Sequence, residues 1–220
     1  MTILKRFVAI AALLGLTACS GMETASRNAT GLGVQNGPDA ALTVTPERLA
    51  PVTLVGYEIE VPQSLKVSEA NAYIPRGDIV WRGEPRGDRY GQVKAIFDDS
   101  LRASATQLTE GVPVNVKIVV RRFHALTEKA RYTTGGVHNI VFDVAIFHAV
   151  SGELLRPVKT VRADLKAYGG AAAIAADAAG QTQRVRITGH LAQTFLEELT
   201  APAGHQNAQL GVIQAMNYAR

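Results

Sequence analysis

VHNIVFDVAIFHAVSGELLRPVKTVRADLKAY, from Val137 to Tyr168, decides the fold. Within Val137–Ala149, Ile140, Phe142, Val144 and Ile146 fall on one face of a strand. Within Leu154–Tyr168, Leu155, Val161, Ala163 and Leu165 do the same, because successive strand side chains point to opposite faces. Between the two runs, Ser151-Gly152 is a hairpin signal. A two-residue loop there sets Phe142 opposite Val161, Ile140 opposite Ala163 and His148 opposite Leu155. The apolar faces then coincide, as a one-sided sheet requires. Lys159, opposite Val144, is the misfit, and Pro157 marks this strand as an edge.

A third strand lies upstream. Pro113–His124 places Val114, Val116, Ile118 and Val120 on one face. The connection Ala125–Gly136 is long and basic and leaves the register free by steps of two. The most symmetric choice pairs Ile118 with Val144 and Val120 with Phe142, and brings His124 opposite His138. VTLVGYEIEV (Val52–Val61) reads as a first strand, and Ile79–Trp81 as a short one.

Two helices complete the pattern. From about Arg89 to Glu110, Val93, Ile96, Phe97, Leu101, Ala105 and Leu108 recur at helical spacing, with Asp88 as cap and Gly111 as stop. From about Thr182 to Thr200, Ile187, Leu191, Phe195 and Leu199 recur every four residues. GGAAAIAADAAG between strand and helix reads as a small-residue connector, since paired glycines weaken its helical tendency. The expectation is an α+β two-layer sandwich over residues 52–200, with an antiparallel sheet of four to five strands and both helices on one face. Residues 201–220 are expected to form a loose tail.

The beginning of the chain is a different kind of sequence. Lys5 and Arg6 precede the apolar run Phe7–Leu16, a signal-peptide pattern over residues 1–18 that is too short to span a membrane. Leu16-Thr17-Ala18-Cys19 resembles the lipobox of bacterial lipoproteins. That resemblance implies a lipidated Cys19, the single cysteine of the chain, at the mature N-terminus. Ser20 follows it, and in that family serine there implies export to the periplasmic face of the outer membrane. Residues 19–51 are small, polar and aperiodic, a flexible tether that spans roughly 30 Å as a coil.

Charge gives little to work with. The 23 bases and 19 acids leave a formal charge of +4, and without Lys5 and Arg6 of the leader 21 bases face 19 acids. That balance, with no recognition motif, argues against a nucleic-acid partner. The GxSxG elbow, Walker A loop, HExxH and CxxC patterns are absent, so the reading is of a binding module rather than an enzyme, without cofactor or metal. An unrecognised enzyme is the third reading.

Candidate ligand or partner surfaces rest on three groups. Arg122, His124 and His138 could hold a lipid headgroup or small anion if the symmetric register places the imidazoles side by side. Arg131 and Tyr132 could form the tip of the long loop. Trp81 and Arg82, in an arginine- and aromatic-rich segment, have interface composition.

Two resemblances bear on function. The element order is similar to that of periplasmic auxiliary lipoproteins of ABC-type lipid transporters and of the curli-secretion lipoprotein family, which implies an accessory role beside an envelope complex. WRGEPRGDRYGQV, RRFHALTEKARYTTGGVHNIVFDV, RADLKAYGG and TQRVRITGHL, between Ile79 and Leu199, resemble an uncharacterised alphaproteobacterial lipoprotein family, which implies the domain and no activity.

Overall fold

The computed structural model describes residues 51–218; the leader, Cys19 and the tether up to residue 50 lie outside the described residues. In chain order come β1 (Val52–Glu60), β2 (Ile79–Val80), α1 (Arg89–Ala105), β3 (Val112–His124), α2 (Glu128–Arg131) and β4 (Gly136–His148). Then follow β5 (Lys159–Arg162), β6 (Leu165–Ala167), α3 (Gly170–Ala178), α4 (Gln183–Thr200) and α5 (Val212–Tyr218). The architecture is α+β, an open sheet of six strands ordered β1-β3-β4-β5, with β2 also on β3 and β6 also on β4.

The sheet is mixed rather than antiparallel. β4 runs antiparallel to β3, β5 and β6, but β1 and β2 run parallel to β3. The cause is α1, which separates β1 and β2 from β3; a parallel neighbour needs a crossover of that kind. The expected single last strand is two short ones, β5 and β6, both keeping one register along β4. Phe142 faces Val161 as the apolar pattern required, and the amide of Ala163 donates to the carbonyl of Ile140 at 2.9 Å.

At the turn the register differs. Phe147 bridges Leu154, the amide of Leu155 donates to Ile146, and that of His148 donates to Glu153, so Leu155 does not face His148. The loop is longer than Ser151-Gly152 alone, with Gly152 at φ +71° closing it. Lys159, the misfit, reaches past Val144 to α4, where its Nζ lies 2.7 Å from the carboxylate of buried Glu198.

α1 and α4 pack side by side on one face of the sheet. Phe97 of α1 lies within 6.3 Å, centroid to centroid, of Phe123, Phe142 and Phe195, joining both helices to β3 and β4. These rings, with Ile96, Leu101, Ile187 and Leu191, are fully buried. Each such side chain contributes about 1.5–3 kcal/mol from burial.

The helix ends also follow from local chemistry. α4 starts where the Thr182 hydroxyl accepts from the amide of Val185, an ordinary N-cap. Asp88 holds the cap position of α1 without a side-chain cap bond. α1 stops at Ala105, short of Glu110, because the chain turns to bury Leu108 and to give its carbonyl to the amide of Leu54.

Two segments are more ordered than their sequence suggests. The alanine-rich connector is helical as α3. The segment after Pro202 is not a loose tail: it returns to the sheet and ends in α5, which packs on β4. Its anchors are polar, which is why hydrophobic periodicity does not reveal them.

Candidate functional site

The symmetric register between β3 and β4 holds from Val114 opposite His148 to Val120 opposite Phe142. Past Val120 a bulge shifts it, so His124 faces Asn139 rather than His138. A bulge adds one residue and reverses which side chains point inward. Phe123 therefore enters the core, 5.7 Å from Trp81, while Arg122 and His124 turn to the face away from α1 and α4. His138, in phase with Ile140 and Phe142, stays on the helix-covered face. The expected cluster of Arg122, His124 and His138 is thus divided between the two sides of the sheet.

On the outer side, Arg122 lines a cleft of about 660 Å³ with Lys66, Ile74, Pro75, Arg76 and Asp78. His124 lies buried beneath it, and its Nε2 donates to the Pro75 carbonyl at 3.0 Å. The loop walls are fixed as well: the Asp78 carboxylate accepts from the amide of Lys66, and the Thr127 hydroxyl donates to the Ala72 carbonyl. Tyr73 and Ile74 are exposed on this loop, and the Lys129 ammonium stands 4.7 Å over the Tyr73 ring. Lys66, Arg76 and Arg122 stand on the cleft walls beside Asp78.

The other expected surface residues divide by burial. Trp81 is wholly buried and belongs to the core, so it offers nothing to a partner; its period-two relation to inward-facing Ile79 carried that information. Arg82 is held by Glu69 and Glu128 in an ionic network with Arg89, which is buried and chelates Glu69 through Nε and Nη2. These pairs fasten the 69–89 segment to α1 and α2. Tyr132 is half exposed, whereas Arg131 is buried and paired with Asp177 of α3.

His138 lies at the end of the helix-covered face in a cavity of about 10 Å³, the size of one water. Arg131, Arg186, Tyr168, Gln181, Gln183 and α3 enclose it. His138 is fully buried and neither ring nitrogen has a partner; Arg131 Nε and Gln183 Oε1 are also unpartnered. Burial, with the charges of Arg186 and Arg131 adding to it, pushes the His138 pKa from 6.5 down to about 3. The imidazole is therefore neutral at pH 7. Arg186 is steadied by stacking 3.8 Å over Tyr168 and by donating to the Lys166 carbonyl. Sequence reasoning missed Gln183, Arg186 and Asp177; the signal was TQRVR, which sets Gln183 and Arg186 on the first turn of α4.

A third polar centre pins the C-terminal segment. Asp164 is buried, and its carboxylate accepts from Asn139, Asn207, Gln214 and Tyr218. Burial and the bond to Asp164 hold the Tyr218 hydroxyl well above its usual pKa, so it remains a donor. Nearby, His205 Nδ1 lies 2.7 Å from Glu197, with its ring 6.1 Å from that of His190. Among the described residues no three His, Cys, Asp or Glu side chains converge as metal ligands, and no helix is long and apolar enough to cross a membrane.

The geometry defines a class: an α+β domain with a mixed sheet, one face covered by α1 and α4, and polar sites at the edges of the core. Residues 52–215 match a family of unknown function, DUF6778, and the chain belongs to it. Among solved structures, the chain is similar to a candidate lipoprotein from Caulobacter crescentus CB15, at 14% identity and TM-score 0.32, covering 67% of this chain and 92% of that one. Another is a Xanthomonas campestris protein of family DUF330, at 15% identity and TM-score 0.40, covering 71% and 88%. The comparison with curated proteins gives no match.

Proposed function

We propose that the protein is a lipid-anchored accessory module that docks another envelope protein on the cleft bounded by Arg76 and Arg122. One observation carries the reading: a braced cleft of about 660 Å³ with three cations on its walls and exposed Tyr73 and Ile74 beside it. Aromatic and arginine side chains around a recess are the composition of protein interfaces. Basic residues on the walls, with Ile74 among them and Tyr73 beside it, favour an acidic partner surface with an apolar centre.

The leader, Cys19 and the tether support the setting. An acylated Cys19 would hold the domain at a membrane, two or more chains giving stable attachment. Ser20 favours the periplasmic face of the outer membrane, and the tether gives a reach of roughly 30 Å.

Crosslinking in cells tests this reading. A photoreactive residue at position 73 or 74 of the full chain should yield one discrete adduct with an envelope protein. Arg76→Glu with Arg122→Glu should reduce that adduct at least ten-fold. An adduct indifferent to both charge reversals, or no adduct from either position, overturns the assignment.

A further inference from the structure

The cavity around His138 sits on the side of the sheet opposite the cleft and has one thinly packed wall. α3, GAAAIAADA, buries Ala173 and little else, and leaves Ile174 exposed. Its N-terminal end is fixed. Gly169 and Gly135 cross so closely that a Cβ on Gly135 would lie 2.8 Å from the Gly169 nitrogen. Its other end is free of crowding: Gly180, at φ +76°, has nothing within 4 Å of where a Cβ would stand. Among the described residues one ion pair, Asp177 with Arg131, ties the last turn of α3 to α2.

Behind that ion pair stand polar groups with nothing to bind. Both His138 nitrogens, Arg131 Nε and Gln183 Oε1 are buried and unpartnered, and Arg186 lines the same cavity. Buried polar groups are ordinarily hydrogen-bonded, so groups of this kind call for a water, an ion or a ligand to supply the missing bonds.

We propose that this is a phosphate-binding site held shut by the protein's own carboxylate. Asp177 occupies Arg131 where one oxyanion edge of the ligand would lie. Moving the Asp177 end of α3 outward, with its N-terminal end held at Gly169, admits a phosphate group between Arg131 and Arg186, against His138 and Gln183.

The donor set selects the phosphate type. Guanidinium groups match phosphate oxygens in planar, two-point fashion. A neutral imidazole offers one donor and one acceptor, and Gln183 Oε1 only accepts. The ligand must therefore carry both oxyanion acceptors and an O–H donor. Hydrogen phosphate and the singly protonated form of a phosphate monoester have both; a phosphodiester has no P–OH.

The test uses the full chain carrying Cys19→Ala, so that no acyl chain brings it to a bilayer. Calorimetric titration with inorganic phosphate should give a Kd at least ten-fold lower after Asp177→Ala. Adding Arg186→Gln should raise it again by at least ten-fold. Flotation with phosphatidic acid vesicles, a lipid monoester, and phosphatidylglycerol vesicles, a diester, separates the sources. Binding of inorganic phosphate alone assigns free phosphate, and binding of phosphatidic acid over phosphatidylglycerol assigns a lipid headgroup.

The His138 ring ¹⁵N signals give a readout that does not depend on the Arg186 variant folding. They should shift when phosphate is added to the Asp177→Ala chain. The proposal is overturned by unshifted signals, by equal affinity with and without Asp177, or by a preference for phosphatidylglycerol. None of these outcomes touches the Arg76–Arg122 cleft, so the two readings stand or fall separately.

Discussion

His138 shows what one buried side chain does to a whole domain's pH response. Its folded-state pKa is depressed to about 3 from 6.5 by burial and by Arg186 and Arg131. Between those values the unfolded chain takes up a proton that the folded protein refuses. Stability associated with this group is therefore complete above pH 6.5 and declines as pH falls toward 3. One proton's difference is worth about 1.4 kcal/mol per pH unit. His138→Gln removes the titration while keeping a polar side chain. The stability gap between wild type and His138→Gln, from urea unfolding, should shift in favour of the variant by about 1 kcal/mol or more for each unit between pH 6 and pH 4. A gap constant across that range would show that His138 is not held neutral.

At the scale of elements, apolar alternation exposed most of the sheet, and polar anchoring concealed the rest. Ile140, Phe142, Val144 and Ile146 gave the β4 face and its partners directly, because an off-by-one slip would bury Asp143 and Asn139 against the helices. The β3 bulge was also written in the sequence. Val120 and Phe123 both point inward at an odd separation, which an unbroken strand forbids. Reading that spacing would have separated His124 from His138. α3 was hidden by its flanking glycines, and α5 by chemistry of another kind. α5 turns Gln214 inward to Asp164 and leaves Val212, Ile213 and Met216 exposed, the reverse of an amphipathic helix.

That inversion has a measurable consequence. Gln214 bonds a buried carboxylate, and hydrogen bonds to charged groups contribute about 1.5–3 kcal/mol. Gln214→Ala should cost about 2 kcal/mol in the wild-type chain and well under 1 kcal/mol once Asp164→Ala has removed the acceptor. The double-mutant cycle is read by urea unfolding, and strict additivity would show that α5 is held by something other than Asp164.

At the scale of the whole molecule, the folded part and the address are separable in the proposed arrangement. The first strand begins at Val52, and its register with β3 starts there, at Val112. In the proposed arrangement residues 19–51 act as a leash, and Cys19 as its fixed point. An acyl anchor changes where the domain is, since attachment grows by about 0.8 kcal/mol per buried methylene, but adds no contact to the core. Cys19→Ala should accordingly move the protein from the membrane pellet to the soluble fraction. The urea unfolding midpoint of residues 52–218 should stay within the error of the measurement. Mass spectrometry of the wild-type N-terminus should show Cys19 as the first residue, carrying diacylglycerol. An unmodified Cys19, or a Cys19→Ala chain that still pellets with membranes after a carbonate wash, would remove the anchor from the proposal. The cleft at Arg122 would then have to find its partner by diffusion rather than within a leash length of roughly 30 Å.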